Sequence, residues 1–173
     1  FHSLNIKNGV LLIQAFVENG HFYVYDPGFR LQGGAPHILM ESINGFDQQK
    51  MLVRFALTGK VDTAEIEEKN DYLFHGKVGA SQVVLLKGGR IGKINGIDTV
   101  KQIPGVVAAT QRLFEGDEVT MIGTEQQVLV RFHMVCETKE ELRQLVNKIN
   151  HTIKVFDTEG NEMCLKGLQP EWL

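Results

Sequence analysis

Apolar residues run almost unbroken from Val10 to Val17 (VLLIQAFV), and again from Phe22 into Asp26 (FYVYD). Each run has the length and the β-branched or aromatic content of a strand. Glu18-Asn19-Gly20-His21 lies between them, and Asn-Gly is the strongest short hairpin signal because both residues tolerate left-handed dihedrals. Gln14 is the one strongly polar residue inside the first run. In a buried strand such a residue is either a satisfied hydrogen-bonding side chain or a ligand. Register decides what it can meet. A two-residue Asn19-Gly20 loop pairs Glu18 with His21 and sends Gln14 and Asp26 to opposite faces. A three-residue loop with a bulge, or a bulge elsewhere, brings both to one face.

Residues 31–45 hold three glycines and Pro36 and read as a loop, in which Ile38–Ile43 fits either a short helix or a strand. Asp47 then has the position of an N-cap, with Phe46 before it placed to staple against Met51. Met51, Leu52, Phe55 and Ala56 give the helix an apolar stripe, and Gly59 stops it. Residues 60–70 are charged and weakly patterned, a connector or a short surface helix. Val83–Leu86 and Arg90–Ile94 flank Lys87-Gly88-Gly89, which predicts a hairpin. Asp98 is placed to cap a short turn that Pro104 ends. Val106–Leu113 fits a helix or a strand. Glu115-Gly116-Asp117 marks a turn before a short strand, Val119–Ile122.

Gln127–Glu137 is a long strand with Val128, Val130, Phe132, Met134 and Cys136 on one face. Thr138-Lys139-Glu140-Glu141 has the form of a capping box and opens a helix with Leu142, Leu145, Val146 and Ile149 as its stripe. His151 falls near its C-terminus as a surface residue. Ile153–Phe156 is a last strand before the turn Thr158–Asn161. The expected fold class is α+β, with antiparallel strands and packed helices. The composition shift at 60–70 suggests a first unit over 1–60, a connector over 61–75 and a small α+β unit over 76–173.

The chain of 173 residues is 43% apolar and 23% charged with a formal net charge of -3, ordinary values for a globular protein. It has no basic run and no aromatics interleaved with lysines, which argues against a nucleic-acid partner. Its apolar runs fall short of the roughly 18 residues a membrane span needs, and no secretory leader pattern opens it. Cys136 and Cys164 lack metal-ligand spacing; a lone disulfide is one reading and two reduced thiols in a cytoplasmic protein the other. The chain starts at Phe1 and reaches an apolar strand within ten residues, so it is expected to be the C-terminal portion of a longer protein, or a product of proteolytic maturation.

The stretch Gly20–Gly34 (GHFYVYDPGFRLQGG) concentrates the candidate chemistry. Pro27 biases Asp26 toward an extended backbone. If the extension continues, Asp26, Gly28 and Arg30 project to one side. Asp26 is a hard oxygen donor suited to Mg²⁺ or Mn²⁺, and Arg30 offers planar N–H donors suited to a phosphate. The same residues also fit an ordinary Asp–Arg surface pair beside a loop.

Gly9-Val-Leu-Leu-Ile-Gln14 followed by Phe22-Tyr-Val-Tyr-Asp26-Pro-Gly-Phe-Arg30-Leu-Gln-Gly-Gly34 resembles the end of the catalytic lobe of ATP-grasp enzymes, in particular carbamoyl-phosphate-synthase-like and biotin-carboxylase-like members. Gly89–Gly96, Pro104-Gly105, Glu115–Val119 and the strand–helix run up to Gly160 resemble the small C-terminal domain of amino-acid-ligase-type members. The resemblance implies that Gln14 and Asp26 are metal ligands, and that Arg30 meets the transferred phosphate as catalytic and nucleotide-contacting residue. It also implies that Gln32, Gly33 and Gly34 belong to a substrate-side loop. The family pattern on the second strand is Glu-x-Asn-x-Arg. Here Asp26 stands for the Glu and is one methylene shorter, and Gly28 stands for the Asn and brings no ligand.

The resemblance further implies an ATP-dependent carboxylate–amine (or related) ligase acting through an acylphosphate, with ATP and Mg²⁺ (or Mn²⁺) as cofactors of the full-length protein. The partners it implies are a small-molecule carboxylate and the upstream ATP-binding lobe of the same polypeptide. The lysines and lid that grip ATP belong to that lobe, and no Gly-x-x-x-x-Gly-Lys-Ser/Thr loop replaces them. The chain alone is therefore expected to bind no cofactor and to be inactive. The alternative is a degenerate homologue serving as a structural or interaction module. In either case the first hairpin is expected to expose an apolar face, with either a poorly ordered first segment or self-association, a homodimer for example, through the edge Val10–Val17.

Overall fold

The computed structural model describes residues 5, 8–61 and 63–173. Phe1–Leu4, Ile6, Lys7 and Asp62, which belong to the first unit and connector expected above, lie outside the described residues. The chain divides into two compact units, Phe1–Asp71 and Tyr72–Leu173.

The first unit opens with β1 (Leu12–Glu18) and β2 (His21–Gly28), an antiparallel pair that forms a sheet of its own. Asn19 (φ 50°) and Gly20 (φ 77°) make the two-residue turn, matching the right-handed twist of the strands. Phe16 is 69% and Phe22 74% exposed, and Ile13, Val17, Tyr23, Val24 and Tyr25 are exposed too. The hairpin thus carries its apolar side chains on both faces without burying them.

Three helices follow: α1 (His37–Asn44), α2 (Gln48–Thr58) and α3 (Thr63–Lys69). The loop expected over 31–45 is therefore shorter than its glycines suggest, because Ile38–Ile43 takes the helical option. Gly45 (φ 74°) ends α1 with its N–H on the Glu41 carbonyl. The buried Asn44 side chain reaches Asn70 Oδ1 and the Asp71 carbonyl, both at 3.4 Å, tying α1 to the end of α3. Asp47 caps α2 as expected, accepting from the amides of Gln49 (2.7 Å) and Lys50 (3.2 Å). Burial works against the charged carboxylate, but those two amides and the Lys50 ammonium outweigh it and hold its pKa below the ordinary value. Phe46, Met51, Leu52, Phe55 and Ile66 line a cavity of about 450 Å³. Ala56, expected in the apolar stripe, is exposed.

The second unit is an α+β arrangement of antiparallel sheets and packed helices, with strand orders β3-β7-β5 and β6-β4-β8. The strands are β3 (Val78–Leu85), β4 (Gly89–Asn95), β5 (Val106–Gln111), β6 (Glu118–Val119), β7 (Val128–Cys136) and β8 (Lys154–Asp157), with helices α4 (Ile97–Lys101) and α5 (Lys139–Thr152). Strand β7 is the centre. Val130, Phe132 and Met134 on one face and Leu129 and His133 on the other are all fully buried, as befits a strand sandwiched on both sides. Leu142, Leu145, Val146 and Ile149 of α5 are buried in the same core. Thr138 Oγ1 accepts from the Glu141 amide at 3.1 Å, the forward half of the capping box. The Glu141 carboxylate in turn accepts from the Glu137 amide, one residue before the cap, rather than from the Thr138 amide. His151 is exposed, with Nδ1 against the Asn147 carbonyl at 2.8 Å.

Three local expectations differ, and one left open is decided. Lys87-Gly88-Gly89 does not close a hairpin: β3 pairs with β7, and β4 pairs with β6 and β8. The chain crosses between sheets there, held by Leu86 N–H on the Gln127 carbonyl and Lys87 N–H on the Met163 carbonyl. Asp98 is not a cap. Gly96, at φ 92°, holds the N-cap position of α4, and Asp98 pairs with Lys101 at 2.8 Å. Val106–Leu113 takes the strand option as β5, paired to β7. The strand expected at Val119–Ile122 shortens to Glu118–Val119. Cys136 and Cys164 are free thiols, and burial is the first cause of the raised pKa of each. Among the described residues no helix is long and apolar enough to cross a membrane.

Candidate functional site

The geometry of the Gly20–Gly34 stretch follows from one extra residue. From the turn, the pairs run Glu18–His21, Val17–Phe22, Phe16–Tyr23 and Ala15–Val24; the next pair is Gln14–Asp26. Tyr25 is skipped. The Asn-Gly loop thus has two residues, and a bulge farther along β2 restores the even sum that puts Gln14 and Asp26 opposite each other.

The side chains make use of this. Gln14 Nε2 donates to Asp26 Oδ2 at 3.0 Å. The Tyr25 hydroxyl donates to Gln14 Oε1 at 2.9 Å. The Tyr25 ring also stacks on Phe16, centroids 4.8 Å apart at 31°. A bulge makes two residues oppose one, and here both Tyr25 and Asp26 reach the single Gln14. Asp26 is exposed and Gln14 half-buried.

Beyond Asp26, Pro27 pairs with Ile13 and Gly28 with Leu12, where β2 ends. Leu12, Gln14, Asp26 and Gly28 therefore share a face. A Cβ built on Gly28 would lie 3.5 Å from Arg30 Nε, 3.6 Å from Arg30 Cγ and 3.9 Å from Leu12 Cβ. Arg30 thus folds back beside Gly28, on the Gln14–Asp26 side of the hairpin. Its Nη1 donates to the Leu31 carbonyl at 3.1 Å, which uses one of the five guanidinium N–H groups. Gln32, Gly33 and Gly34 form the turn that follows, closed by Ala35 N–H on the Gln32 carbonyl at 3.2 Å, with Ala35 at φ 56°. Pro36 then leads into α1 without a side-chain cap.

The donor set suits one hard cation better than two. It holds one carboxylate and one amide oxygen, and Gly28 adds nothing. Among the described residues there is no group of three or more His, Cys, Asp or Glu side chains able to hold a metal ion. The Gln14 amide also turns its nitrogen, not its oxygen, toward Asp26. Tyr25 was missed by sequence reasoning. The signal was present: a two-residue Asn-Gly loop and a shared face for Gln14 and Asp26 are compatible only if one residue between them bulges.

No protein-family model matches this sequence, and no curated protein is significantly similar to it. Solved structures share its fold. An L-amino acid ligase from Bacillus licheniformis aligns with a TM-score of 0.73 at 18% identity, over 91% of this chain and 40% of that one. A phosphoribosylglycinamide synthetase from Anaerococcus prevotii aligns with a TM-score of 0.73 at 16% identity, over 91% of this chain and 39% of that one. The biotin carboxylase domain of the Hydrogenobacter thermophilus 2-oxoglutarate carboxylase, solved with MgADP, ADP and bicarbonate, aligns with a TM-score of 0.58 at 15% identity, over 87% and 30%. At these identities the likeness is one of fold, and the chain spans about 40% of the length of the first of these proteins.

Proposed function

We propose that this chain forms the phosphoryl-handling end of an ATP-dependent ligase of the ATP-grasp type, which joins a small carboxylate to an amine or related nucleophile through an acylphosphate. The observation that carries the reading is the bulge-set pairing of Gln14 with Asp26, with Arg30 folded beside Gly28 on the same side. The fold shared with two ligase-type proteins supports it. On this reading the adenine and triphosphate grips lie on polypeptide beyond this chain, and catalysis requires the parent protein.

Asp26 and Gln14 would hold one divalent ion, which when bound neutralises charge on the phosphates. Arg30 would donate to the phosphoryl group as its charge redistributes, where planar, paired N–H donors are most effective. The carboxylate oxygen attacks the γ-phosphorus as the bond to ADP breaks. The nucleophile then displaces phosphate from the acyl carbon and loses its proton to solvent. The Gln32-Gly33-Gly34 turn would border the carboxylate substrate. A second reading, a degenerate homologue kept as a structural or interaction module, is favoured by one observation: Gln14 and Asp26 satisfy each other.

Titration of the complete polypeptide with Mg-ATP, with turnover measured alongside, separates the two. Asp26→Ala and Arg30→Ala should each cost about tenfold or more in affinity or turnover, the value of a charge-assisted contact. Wild-type behaviour in both variants would leave the module reading standing and the ligase reading refuted.

A further inference from the structure

We infer that the second unit carries a binding site for one internal water molecule, held by the side-chain oxygen of Gln82 in a small cavity between β3, α5 and the segment after β8. The inference stands apart from the phosphoryl-site reading. Gln82 lies within β3 and is 1% exposed. Its amide nitrogen donates to Asn150 Oδ1 on α5 at 2.7 Å. The Asn150 nitrogen donates in turn to the Leu168 carbonyl at 2.8 Å. Gln82 Oε1 is buried and has no hydrogen-bond partner among the described residues.

The direction of these bonds is fixed from one end. A backbone carbonyl only accepts, so Asn150 turns its nitrogen to Leu168 and its oxygen to Gln82. Gln82 must then turn its nitrogen to Asn150. Exchanging the ends of either amide would set oxygen against oxygen. Gln82 Oε1 is thereby left as an acceptor that no flip can satisfy. A buried acceptor without a donor carries its full desolvation penalty, and ordered water is the usual partner for such an atom.

The size of the space selects the ligand. Gln82, Ile149, Asn150, Ile153, Cys164 and Gly167 are among the residues around a cavity of about 30 Å³. A water molecule needs about 10–15 Å³ of such space, so water fits and an organic ligand does not. The wall offers further polar partners. Asn150 Oδ1 keeps a second lone pair. Cys164 is a free thiol whose pKa is raised, burial being the first cause, so it stays an S–H donor at neutral pH. A water that donates to Gln82 Oε1 and Asn150 Oδ1 and accepts from Cys164 has about the usual number of bonds for a buried site. It also completes a polar tie on the segment after β8. Leu165 N–H on the Leu85 carbonyl lays that segment along β3, and the Gln82–Asn150–Leu168 chain fastens it to α5.

A crystal structure of the full chain tests the site directly, together with two variants at Gly167. Wild type should show an ordered water about 2.5–3.0 Å from Gln82 Oε1. A Cβ on Gly167 would lie 3.6 Å from the Val83 carbonyl oxygen and 3.7 Å from both Asn150 Oδ1 and Gln82 Nε2. These are ordinary contacts, and the Gly167 backbone is outside the left-handed region, so a small side chain fits at the cavity wall. Gly167→Ser brings a hydroxyl that can take the place of the water. Gly167→Ala brings a methyl that takes up the space and offers no donor. Gly167→Ala should therefore melt about 4 °C or more below Gly167→Ser, the shift expected for one unmet acceptor in a unit of this size. A dry cavity in wild type, or Gln82 Oε1 bonded to a protein donor, would overturn the inference. So would Gly167→Ala melting at or above Gly167→Ser.

Discussion

Gly28→Asn asks whether the site is short of a ligand or merely differently built. The substitution is sterically allowed. Gly28 lies in β2 outside the left-handed region, and a Cβ there would meet its neighbours at 3.5, 3.6 and 3.9 Å, ordinary van der Waals distances. Replacing glycine where the backbone already suits another residue narrows the unfolded ensemble, worth about 0.4–1 kcal/mol. Asparagine is a poor strand former, so the lower end applies. The new side chain shares the face of Gln14 and Asp26 and adds an amide oxygen beside Arg30. Losing an interaction that supports a metal ligand usually costs roughly 10–100-fold in affinity. Gaining a ligand on an exposed hairpin should therefore tighten Mn²⁺ binding by about tenfold, or about 1.4 kcal/mol. Urea unfolding and Mn²⁺ titration of the complete polypeptide read the two parts separately. A loss of stability would refute the packing argument. Unchanged stability with unchanged Mn²⁺ affinity would place the cation away from Gly28 and refute the shared-face geometry.

Two further predictions concern the scaffold. Asp47→Ala should destabilise the first unit by about 1 kcal/mol at pH 7, the usual worth of an N-cap. Because the folded pKa of Asp47 is lowered from 3.8, its charge-dependent contribution is full above that value and disappears as pH falls through the folded pKa. The wild-type-minus-variant difference in urea midpoint should therefore shrink below about pH 4, and a difference independent of pH would contradict the charge-based account. Gly92→Ala should cost the second unit about 1–3 kcal/mol, because its Cβ would fall 2.4 Å from the Asp157 carbonyl oxygen, against the backbone of β8. A thermal midpoint equal to wild type would show that the β4–β8 approach is looser than described.

Much of the fold was legible because it is written in local chemistry. The Asn19-Gly20 turn, the Asp47 cap, the Gly59 stop and the alternating Val128–Cys136 strand each depend on neighbours within a few residues. So does the Thr138–Glu141 start of α5. The Lys87-Gly88-Gly89 turn misled because a glycine pair permits a hairpin without requiring one. What prevents it lies far away in sequence: β7 as a largely buried partner for β3, and the pairing of β4 with β8, where Gly92 approaches Asp157 closely. Asp98 misled in the same way. Its spacing suits a cap, but Gly96 (φ 92°) starts α4.

The sequence alone determined the residue types of the candidate site and their order: an amide, a carboxylate, a glycine and a guanidinium, spaced from the first strand to just beyond the second. It could not decide whether Gln14 and Asp26 meet, because strand pairing has a period of two and a single extra residue inverts every face beyond it. Tertiary structure decided that by bulging β2 at Tyr25. The same bulge placed the Tyr25 hydroxyl where it donates to the Gln14 amide oxygen, a contact across eleven residues that no local pattern encodes.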